Sequence, residues 1–296
     1  MADIKIKDLT KKFRQTIALN HISLSLGGNK IIGLIGRNGS GKTTFLKTIA
    51  GHLKASSGEI TVNDQNPFDN LSIQSDLCFI PDEVNYHWSE LKVNELFKLA
   101  SIFYKNWDAE LAAELLKEFK LEGKKNYDDL SRGMKSMINV VIGLASQAPL
   151  TIYDEPTLGL DAVMRKRFYS HLLDDYNQHP RNIIISSHLI NEAENLMEEV
   201  LIIKQGEIIL YKKIEDLRQY AVNLNGREEV VQPLLEKKEV YEQRRLGRSL
   251  IAAVKNDLTS ADRDYIREND LDISYVPLQE LFIYLTGQEG EENEKV

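Results

Sequence analysis

The stretch with the clearest chemical meaning is a glycine-rich segment that ends in a lysine and two threonines. It reads Gly36-Arg37-Asn38-Gly39-Ser40-Gly41-Lys42-Thr43-Thr44. An apolar run precedes it and a helix-like run follows, which fits the strand-to-helix turn of the pattern G-x-x-x-x-G-K-[S/T]. Glycines let consecutive backbone N–H groups converge on one point, and the helix N-terminus adds partial positive charge. The segment therefore predicts a binding site for the phosphates of a nucleoside triphosphate.

The side chains at the end of this segment suit a metal-bound triphosphate. Lys42 can reach the β- and γ-phosphates, and the Thr43 hydroxyl can ligate Mg²⁺. The alternative is a chance glycine turn at the start of a helix. Strand, loop, Lys-Thr pair and helix follow in the required order, so we favour the phosphate site.

An acidic pair follows a second apolar run. Asp154 and Glu155 come directly after Leu150-Thr151-Ile152-Tyr153, which predicts a buried strand. Ligands of α/β proteins bind at the carboxyl ends of strands, where the glycine-rich segment also lies. Asp154 would hold Mg²⁺, directly or through water, and Glu155 would polarise the attacking water as general base. Such a pair alone is usually a solvated turn; the glycine-rich segment favours the catalytic interpretation.

Two further stretches could meet the same ligand. His188 follows the apolar run Ile183-Ile184-Ile185, where a histidine can reach the terminal phosphate and orient water. Its alternative is a surface histidine at a helix start. Leu130-Ser131-Arg132-Gly133-Met134 precedes a helix-like run, with Ser131 as N-cap and exposed backbone N–H groups at Gly133. This is a second candidate anion site, and its alternative is ordinary helix capping.

The elements that must position these residues change along the chain. Residues 1–70 mostly indicate strands, residues 89–148 place apolar side chains at helical spacing, and strand–helix alternation then resumes. This order predicts a parallel sheet covered by helices. From about residue 215 the order β-α-β-β-α-β suggests a small α+β module of ferredoxin-like type. The acidic tail, residues 287–296, is predicted to be disordered.

Composition narrows the choice of partners. The 296 residues carry a net charge of −8, which argues against broad nucleic-acid binding. The single cysteine, Cys78, excludes an internal disulfide and fits a reducing cytosol. The N-terminus does not have the pattern of a signal peptide, and no apolar stretch is long enough to span a bilayer. We therefore expect any work at a membrane to go through a partner, and no nucleic acid to be bound.

Taken in order, these stretches resemble the ATP-binding cassette of ABC transporters. The resemblance covers residues 2–217. It rests on the glycine-rich segment, hereafter the P-loop, and on the stretches Leu-Ser-Arg-Gly-Met, Ile-Tyr-Asp-Glu-Pro-Thr, Gly-Leu-Asp and Ser-Ser-His. It implies a P-loop NTPase (RecA-like) α/β core with an N-terminal antiparallel β subdomain and a helical subdomain at about 82–148. The cassette would occupy residues 1–217, and residues 218–286 would form an accessory α+β module.

The resemblance also implies a role for each motif. The glycine-rich segment becomes Walker A, and residues 130–134, including Arg132 and Met134, become the signature motif. Asp154 is then the Walker B aspartate, Glu155 the catalytic glutamate and His188 the switch histidine. The D-loop is Gly159-Leu160-Asp161.

Phe13 and two departures from the family pattern bear on how the nucleotide is held. Phe13 stands where the family has an aromatic ring that stacks on adenine, and its alternative is a core aromatic. Asp82 aligns with the usual glutamine; a carboxylate still suits Mg²⁺ but adds negative charge near the triphosphate. Arg132 replaces a common glycine. Both variants are familiar in ATPase subunits of bacterial ABC-2-type exporters, which favours export.

In this family two cassettes dimerise head to tail, with each ATP between Walker A of one subunit and the signature motif of the other. One chain carries one of each, so the resemblance implies a homodimer or a heterodimer with a sister ATPase subunit. A separate transmembrane permease subunit would dock on the helical subdomain. The protein would then be cytoplasmic, peripheral on the cytoplasmic face of the cell membrane, with ATP and Mg²⁺ as its cofactors.

Other functions compete with an ATPase that powers transport. A translation-associated ABC ATPase usually carries two cassettes, and one is visible here. A DNA-repair ABC ATPase needs a long coiled coil, and no heptad run exists between residues 44 and 130. A nucleotide kinase would not predict the signature or the Ser-His pair. The alternative that remains is a soluble, non-transport ABC ATPase with a regulatory role; a degraded cassette is disfavoured because the catalytic residue types are present.

Overall fold

The computed structural model of the protein describes residues 2–82, 91–187 and 190–287. The chain divides into two compact units, residues 1–211 and residues 212–296. The division falls inside a strand, a few residues before the position at which the sequence changes character. Two features named above lie outside the described residues: His188 and the acidic tail beyond Gly287.

The strands of the first unit alternate with its helices after an initial run of strands. The strands are β1 (Ile4–Phe13), β2 (Thr16–Leu26), β3 (Ile31–Ile35), β4 (Ser57–Val62), β5 (Leu77–Ile80), β6 (Leu150–Tyr153), β7 (Asn182–Ser187), β8 (Glu199–Lys204) and β9 (Glu207–Lys213). The helices are α1 (Lys42–Ile49), α2 (Leu71–Gln74), α3 (Val93–Phe103), α4 (Ala109–Glu118), α5 (Arg132–Ala145), α6 (Ala162–Gln178) and α7 (Ile190–Ala193).

Six strands form the central sheet in the order β5-β6-β7-β3-β8-β9. β3 pairs in parallel with β7 and β8, and β6 pairs in parallel with β5 and β7. β3, β6 and β7 are buried along their whole length, which is why they are largely apolar runs rather than alternating ones. Parallel pairing brings the carboxyl ends of β3, β5, β6 and β7 to one edge of the sheet. The segments that follow these strands therefore meet there.

The N-terminal sheet is antiparallel, as the family resemblance implies, and has the order β2-β1-β4. β1 runs as far as Phe13, because its pairing with β2 continues through register shifts. Asp8, with φ +52°, lies at one of these irregularities and interrupts the alternation that the sequence shows. Phe45 and Leu46 of α1 are fully buried in the core that this sheet shares with the central one.

The helical part of the unit is built on α3, α4 and α5. Asp108 caps α4 by accepting a hydrogen bond from the Leu111 amide at 2.9 Å. α5 runs close to β6, since a Cβ on Gly143 would lie 2.5 Å from the Tyr153 ring. Between β7 and β8 the described residues form the short helix α7. Among the described helices, none is both long and apolar enough to cross a bilayer.

The second unit has the predicted β-α-β-β-α-β order with a helix at each end. Its elements are α8 (Ile214–Arg218), β10 (Ala221–Arg227), α9 (Glu228–Leu235), β11 (Val240–Leu246), β12 (Ser249–Lys255), α10 (Ser260–Glu268), β13 (Asp272–Tyr275) and α11 (Leu278–Thr286). The sheet order is β11-β12-β10-β13, and each neighbouring pair is antiparallel. β10 and β11 therefore run parallel with β12 between them, which is the split β-α-β arrangement of a ferredoxin-like module. Val222, Leu224 and Val231 lie in its core.

Candidate nucleotide-binding site

The glycine-rich segment forms a tight loop between the end of β3 and the start of α1. Gly41 has φ +109°, a backbone conformation that glycine adopts without strain. A Cβ on Gly41 would lie 2.7 Å from the Ala18 carbonyl oxygen, and one on Gly36 would lie 2.4 Å from Ser40 Oγ. A side chain at either position would clash with neighbouring protein atoms, so the loop follows this tight path only with glycine there. The first turn of α1 carries no acidic residue, so its N-terminal partial charge favours an anion.

Lys42 is the cation of this loop. Its Nζ donates to the Gly36 carbonyl at 2.7 Å and lies 3.4 Å from Glu155 Oε1. The Lys42 side chain is 7% exposed, so the ammonium is held against the loop rather than extended into solvent. The structure thus brings the lysine after β3 and the glutamate after β6 into direct contact, as the sequence predicts for the carboxyl edge of the sheet.

Asp154 is fully buried at the end of β6. Its Oδ1 accepts a hydrogen bond from Ser186 Oγ at 2.7 Å. Burial raises the pKa of Asp154, the hydroxyls of Ser186 and Thr43 lower it, and the charges of Asp82 and Glu155 raise it further. These interactions place the P-loop threonine, the two Walker B acids and the acid after β5 within reach of one another.

The residues present fit a magnesium ion. Asp154 Oδ2 is buried and has no hydrogen-bond partner of good geometry in the described part of the chain. The Thr43 hydroxyl lies beside this carboxylate, and Asp82 is near enough to act on it electrostatically. Carboxylate and hydroxyl oxygens are the ligands that Mg²⁺ prefers. An unpartnered buried carboxylate oxygen, with a hydroxyl and further carboxylates near it, is a set of groups that suits a hard cation.

Glu155 is held in an unusual backbone conformation. Its φ is +48°, in the left-handed region that costs a non-glycine residue about 1–2 kcal/mol. Its backbone N–H donates to Ser186 Oγ at 2.8 Å. The turn allows its carboxylate to meet the ammonium of Lys42. A strained residue held at a ligand site is a feature of functional geometry.

The signature residues lie at the start of α5. Ser131 is the N-cap, and its Oγ accepts a hydrogen bond from the Met134 amide at 3.3 Å. A Cβ on Gly133 would lie 3.2 Å from the Gly159 carbonyl oxygen, so the helix start packs closely on the D-loop. Ser136 Oγ lies 3.3 Å from the Leu158 carbonyl oxygen and strengthens this contact. Ser131 itself is exposed, and the first turn has no acidic residue, which leaves it open to an anion.

The remaining predicted residues have distinct positions. Asp161 caps α6 by accepting a hydrogen bond from the Met164 amide at 2.9 Å. Arg132 lies over the D-loop, with its Cδ 3.5 Å from where a Cβ of Gly159 would be. Phe13 is 44% exposed, with the Lys11 ammonium 4.9 Å from its ring centroid, so it is not a core aromatic.

The loop tip and the helix start account for the other P-loop residues. Arg37, Asn38 and Gly39 are exposed at the tip, and Ser40 returns to the core, where its carbonyl accepts from the Gly206 amide at 2.8 Å. The Thr44 carbonyl accepts the Thr48 hydroxyl within α1 at 2.7 Å. The tip is therefore open to a ligand and its base is fixed by the β8–β9 turn.

Ser186 is the site residue that sequence reasoning misses. It lies in β7 between the apolar run and His188, is fully buried, and contacts both Walker B acids. A hydroxyl at the carboxyl end of a buried strand, at the same edge as the acidic pair, is the signal that could have identified it.

Comparison with known proteins adds to this geometry. A family model described as ABC transporter matches residues 19–158. The bacitracin transport ATP-binding protein BcrA of Bacillus licheniformis is 30% identical over 210 residues, which cover 70% of this chain and 68% of that protein. The ABC transporter ATP-binding protein YtrB of Bacillus subtilis is 26% identical over 221 residues, or 75% of each protein. The SkfA peptide export ATP-binding protein SkfE of Bacillus subtilis is 29% identical over 211 residues, covering 70% of this chain and 87% of that protein.

Solved structures agree with these sequence matches. The ATP-binding subunit of an ABC transporter superposes with a TM-score of 0.66 at 27% identity, over 73% of this chain and 91% of that one. A dimeric ATP-binding cassette in a post-hydrolysis state with ADP and Pi superposes with a TM-score of 0.63 over 71% of this chain and 98% of that one. Its identity of 23% supports the shared fold alone.

Proposed function

We propose that this chain, which belongs to the ABC transporter family and is an ATPase, powers transport through a separate membrane subunit. The observation that carries the proposal is the chain of contacts from Lys42 to Glu155 and, through Ser186, to Asp154. It unites the phosphate-binding loop with a general base and a metal-holding carboxylate at one edge of the sheet. Such a site hydrolyses a nucleotide rather than only storing it.

Hydrolysis follows from the roles of these groups. The P-loop amides and Lys42 bind the phosphates and stabilise the charge that develops on them. Mg²⁺, held by Thr43 and Asp154 with help from Asp82, would neutralise charge on the phosphate oxygens. Glu155 accepts the proton of the attacking water, and His188 orients the water and the terminal phosphate. Phe13 offers an exposed ring on which adenine stacks.

The site is completed by a second cassette, in the simplest case a second copy of this chain. Ser131 caps a helix whose first turn is free of acidic residues, and Gly133 and Ser136 of that helix contact the D-loop. Paired head to tail, the signature helix of one subunit would face the terminal phosphate bound by the other. ATP then bridges two positive helix N-termini and favours closure, and hydrolysis removes that bridge.

Export is the direction that the sequence and the relatives favour. Asp82 and Arg132 depart from the commonest family pattern in the manner of ABC-2-type exporters. BcrA and SkfE are named for bacitracin transport and peptide export, respectively. The protein would act at the cytoplasmic face of the membrane, with its helical subdomain against the permease.

The test is purification of the chain from detergent-solubilised membranes, followed by reconstitution with any multispanning protein that co-purifies stoichiometrically. We expect ATP-dependent movement of a substrate in proteoliposomes, abolished by Glu155→Gln in this chain. An ATPase that is fully active alone and whose rate no membrane protein alters would contradict the transport role.

A further inference from the structure

Ser186 occupies an unusual place between the two Walker B acids. Its single hydroxyl donates to Asp154 Oδ1 at 2.7 Å and accepts from the Glu155 backbone N–H at 2.8 Å. The residue is fully buried, so water does not replace either bond. One side chain therefore uses both its donor and its acceptor capacity on the two residues that carry the chemistry.

The position of Ser186 follows from how the chain leaves the sheet. The parallel pairing of β6 with β7 ends at Tyr153 and Ile185. One residue later, the Asp154 N–H still donates a hydrogen bond to the Ile80 carbonyl of β5 at 2.8 Å. At Glu155, where φ is +48°, the backbone leaves the strand ladder. Its N–H donates to the Ser186 hydroxyl at the point where the pairing of β6 with β7 has ended. The hydroxyl thus closes the turn that points the glutamate at Lys42.

We propose that Ser186 is a positioning residue that fixes the Asp154 carboxylate and the left-handed turn at Glu155 as one unit during hydrolysis. The inference rests on the proposed roles of Asp154 and Glu155. Ser186 touches neither nucleotide nor water in this scheme. It acts by setting where the metal-holding oxygen and the base lie relative to each other.

Losing the hydroxyl has two consequences of different kinds. Asp154 Oδ1 and the Glu155 amide would both be left buried without this partner, which lowers stability. The turn at Glu155 would also lose the bond that holds its strained backbone. The first effect is common to any buried serine, whereas the second is specific to this site.

Ser146 is a matched control for the stability effect. It is also a buried serine in the first unit, and its hydroxyl donates to the Gly143 carbonyl at 2.8 Å and accepts from the Ala148 amide at 3.3 Å. It follows α5 and precedes β6, away from the carboxyl ends of the strands. Ser146→Ala removes a comparable pair of bonds without touching either Walker B acid.

The experiment compares Ser186→Ala, Ser186→Cys, Ser186→Thr and Ser146→Ala in the full chain. For each variant, thermal unfolding, the kcat and KM for ATP, and the affinity for a fluorescent ATP analogue in EDTA and in Mg²⁺ are measured. We expect Ser186→Ala to lower kcat by about 10–100-fold, the usual effect of losing a group that orients a metal ligand. Its affinity in EDTA should change little, while the gain in affinity on adding Mg²⁺ should shrink and the KM for ATP-Mg²⁺ should rise by a similar factor.

The other variants test the positioning role even if Ser186→Ala does not fold. Ser186→Cys nearly keeps the size but not the strong hydrogen bonds, so it should resemble Ser186→Ala even if the alanine variant unfolds. Ser186→Thr keeps the hydroxyl and should recover most of kcat. Ser146→Ala should lose thermal stability but keep wild-type kinetics. A wild-type kcat and Mg²⁺ response in Ser186→Ala and Ser186→Cys, or an equal loss of kcat in Ser146→Ala, would overturn the proposal.

Measured together with Glu155→Gln, these variants distinguish a failure of the Ser186 positioning role from a failure of the proposed function. If the wild type hydrolyses ATP, Glu155→Gln does not, and the Ser186 variants are normal, the positioning role alone fails. If Glu155→Gln retains the wild-type rate, the assignment of the base fails first.

Discussion

The Lys42 ammonium lies 3.4 Å from the Glu155 carboxylate, and both side chains are almost fully shielded from solvent. The lysine enters from the P-loop after β3 and the glutamate from the turn after β6, two strands that are separated in the sheet by β7. The proposed phosphate-binding cation and the proposed general base are therefore in contact with each other in the folded chain. A triphosphate that draws Lys42 onto its oxygens would also release Glu155 to face the attacking water.

Lys42→Ala should weaken nucleotide binding itself. The lysine is the buried cation of the loop, and a hydrogen bond to a charged group contributes about 1.5–3 kcal/mol, or roughly a 10–150-fold change in affinity. Equilibrium titration with a fluorescent ATP analogue measures it. Lys47→Ala, in the last turn of the same helix, is the matched control and should bind as the wild type does. Wild-type affinity in Lys42→Ala would contradict the P-loop assignment.

Phe13→Ala should weaken ATP binding by about 1–3 kcal/mol, the contribution of one base stacked on an aromatic ring. Because Phe13 is 44% exposed, its removal should hardly affect the thermal unfolding temperature. Phe13→Trp should preserve affinity, and tripolyphosphate, which has no base, should bind equally to all three proteins. Phe68→Ala removes another exposed ring of the same unit, 40% exposed, as the control. Equal losses of ATP affinity in Phe13→Ala and Phe68→Ala would contradict stacking at Phe13.

Ser131→Asp should abolish hydrolysis without unfolding α5. Aspartate is as good an N-cap as serine, so the bond to Met134 is retained, but its charge would repel the phosphate of a partner subunit. Mixed with Lys42→Ala, it should regain ATPase activity, since the heterodimer keeps one site with an intact P-loop and an intact signature. The readout is phosphate release from each variant and from the mixture. A mixture no faster than the sum of its components would rule out a shared site.

Much of the fold follows from patterns that short segments carry. The apolar runs before Gly36 and Asp154 are strands because both faces of the central sheet are covered, and Ser131 and Asp108 begin helices because their oxygens cap backbone amides. The β-α-β-β-α-β order of the second unit could also be predicted from the sequence. The full order of the strands in the central sheet could not be predicted, because pairing joins residues that are far apart in the chain. That β7 pairs with β3 as well as with β6 could come only from the structure.

The candidate site likewise has one part that could be predicted from the sequence and one part that could not. P-loop, acidic pair and signature were predictable because their residue types have few other uses in that order. Ser186 was not, because a buried serine has no distinctive spacing and its importance lies in what it touches. The left-handed backbone at Glu155 was hidden for a related reason: glutamate does not favour that conformation, so nothing in its type announces it.

Asp262 should make the second unit sensitive to acid. The Lys238 ammonium, 2.9 Å away, and the Thr259 cap lower the pKa of Asp262 from its usual 3.8 to about 2. A carboxyl whose folded pKa is depressed stabilises the protein above its unfolded pKa, and this stabilisation disappears as pH falls from about 4 towards 2. Discounted for partial exposure, it amounts to roughly 1–2 kcal/mol.

Asp262→Asn should therefore lower the free energy of unfolding at pH 7, and the gap to wild type should narrow between pH 4 and pH 2. Denaturant unfolding of the full chain at several pH values measures it. Asp257→Asn removes a more exposed partner of the same lysine, with a side chain 51% exposed, and should cost less. A gap that stays constant as pH falls would show that the loss is one of packing.

Closure of two cassettes by ATP across a composite site can be measured by light scattering of Glu155→Gln after size-exclusion chromatography. Without its general base the variant should bind ATP-Mg²⁺ and hardly hydrolyse it, a loss of about 10²–10⁴-fold in rate. We predict the mass of one chain without nucleotide and of two chains with ATP-Mg²⁺, and a single chain under both conditions when Ser131→Asp is added. A mass for Glu155→Gln that does not change with ATP-Mg²⁺ would show that ATP does not close two of these cassettes on each other.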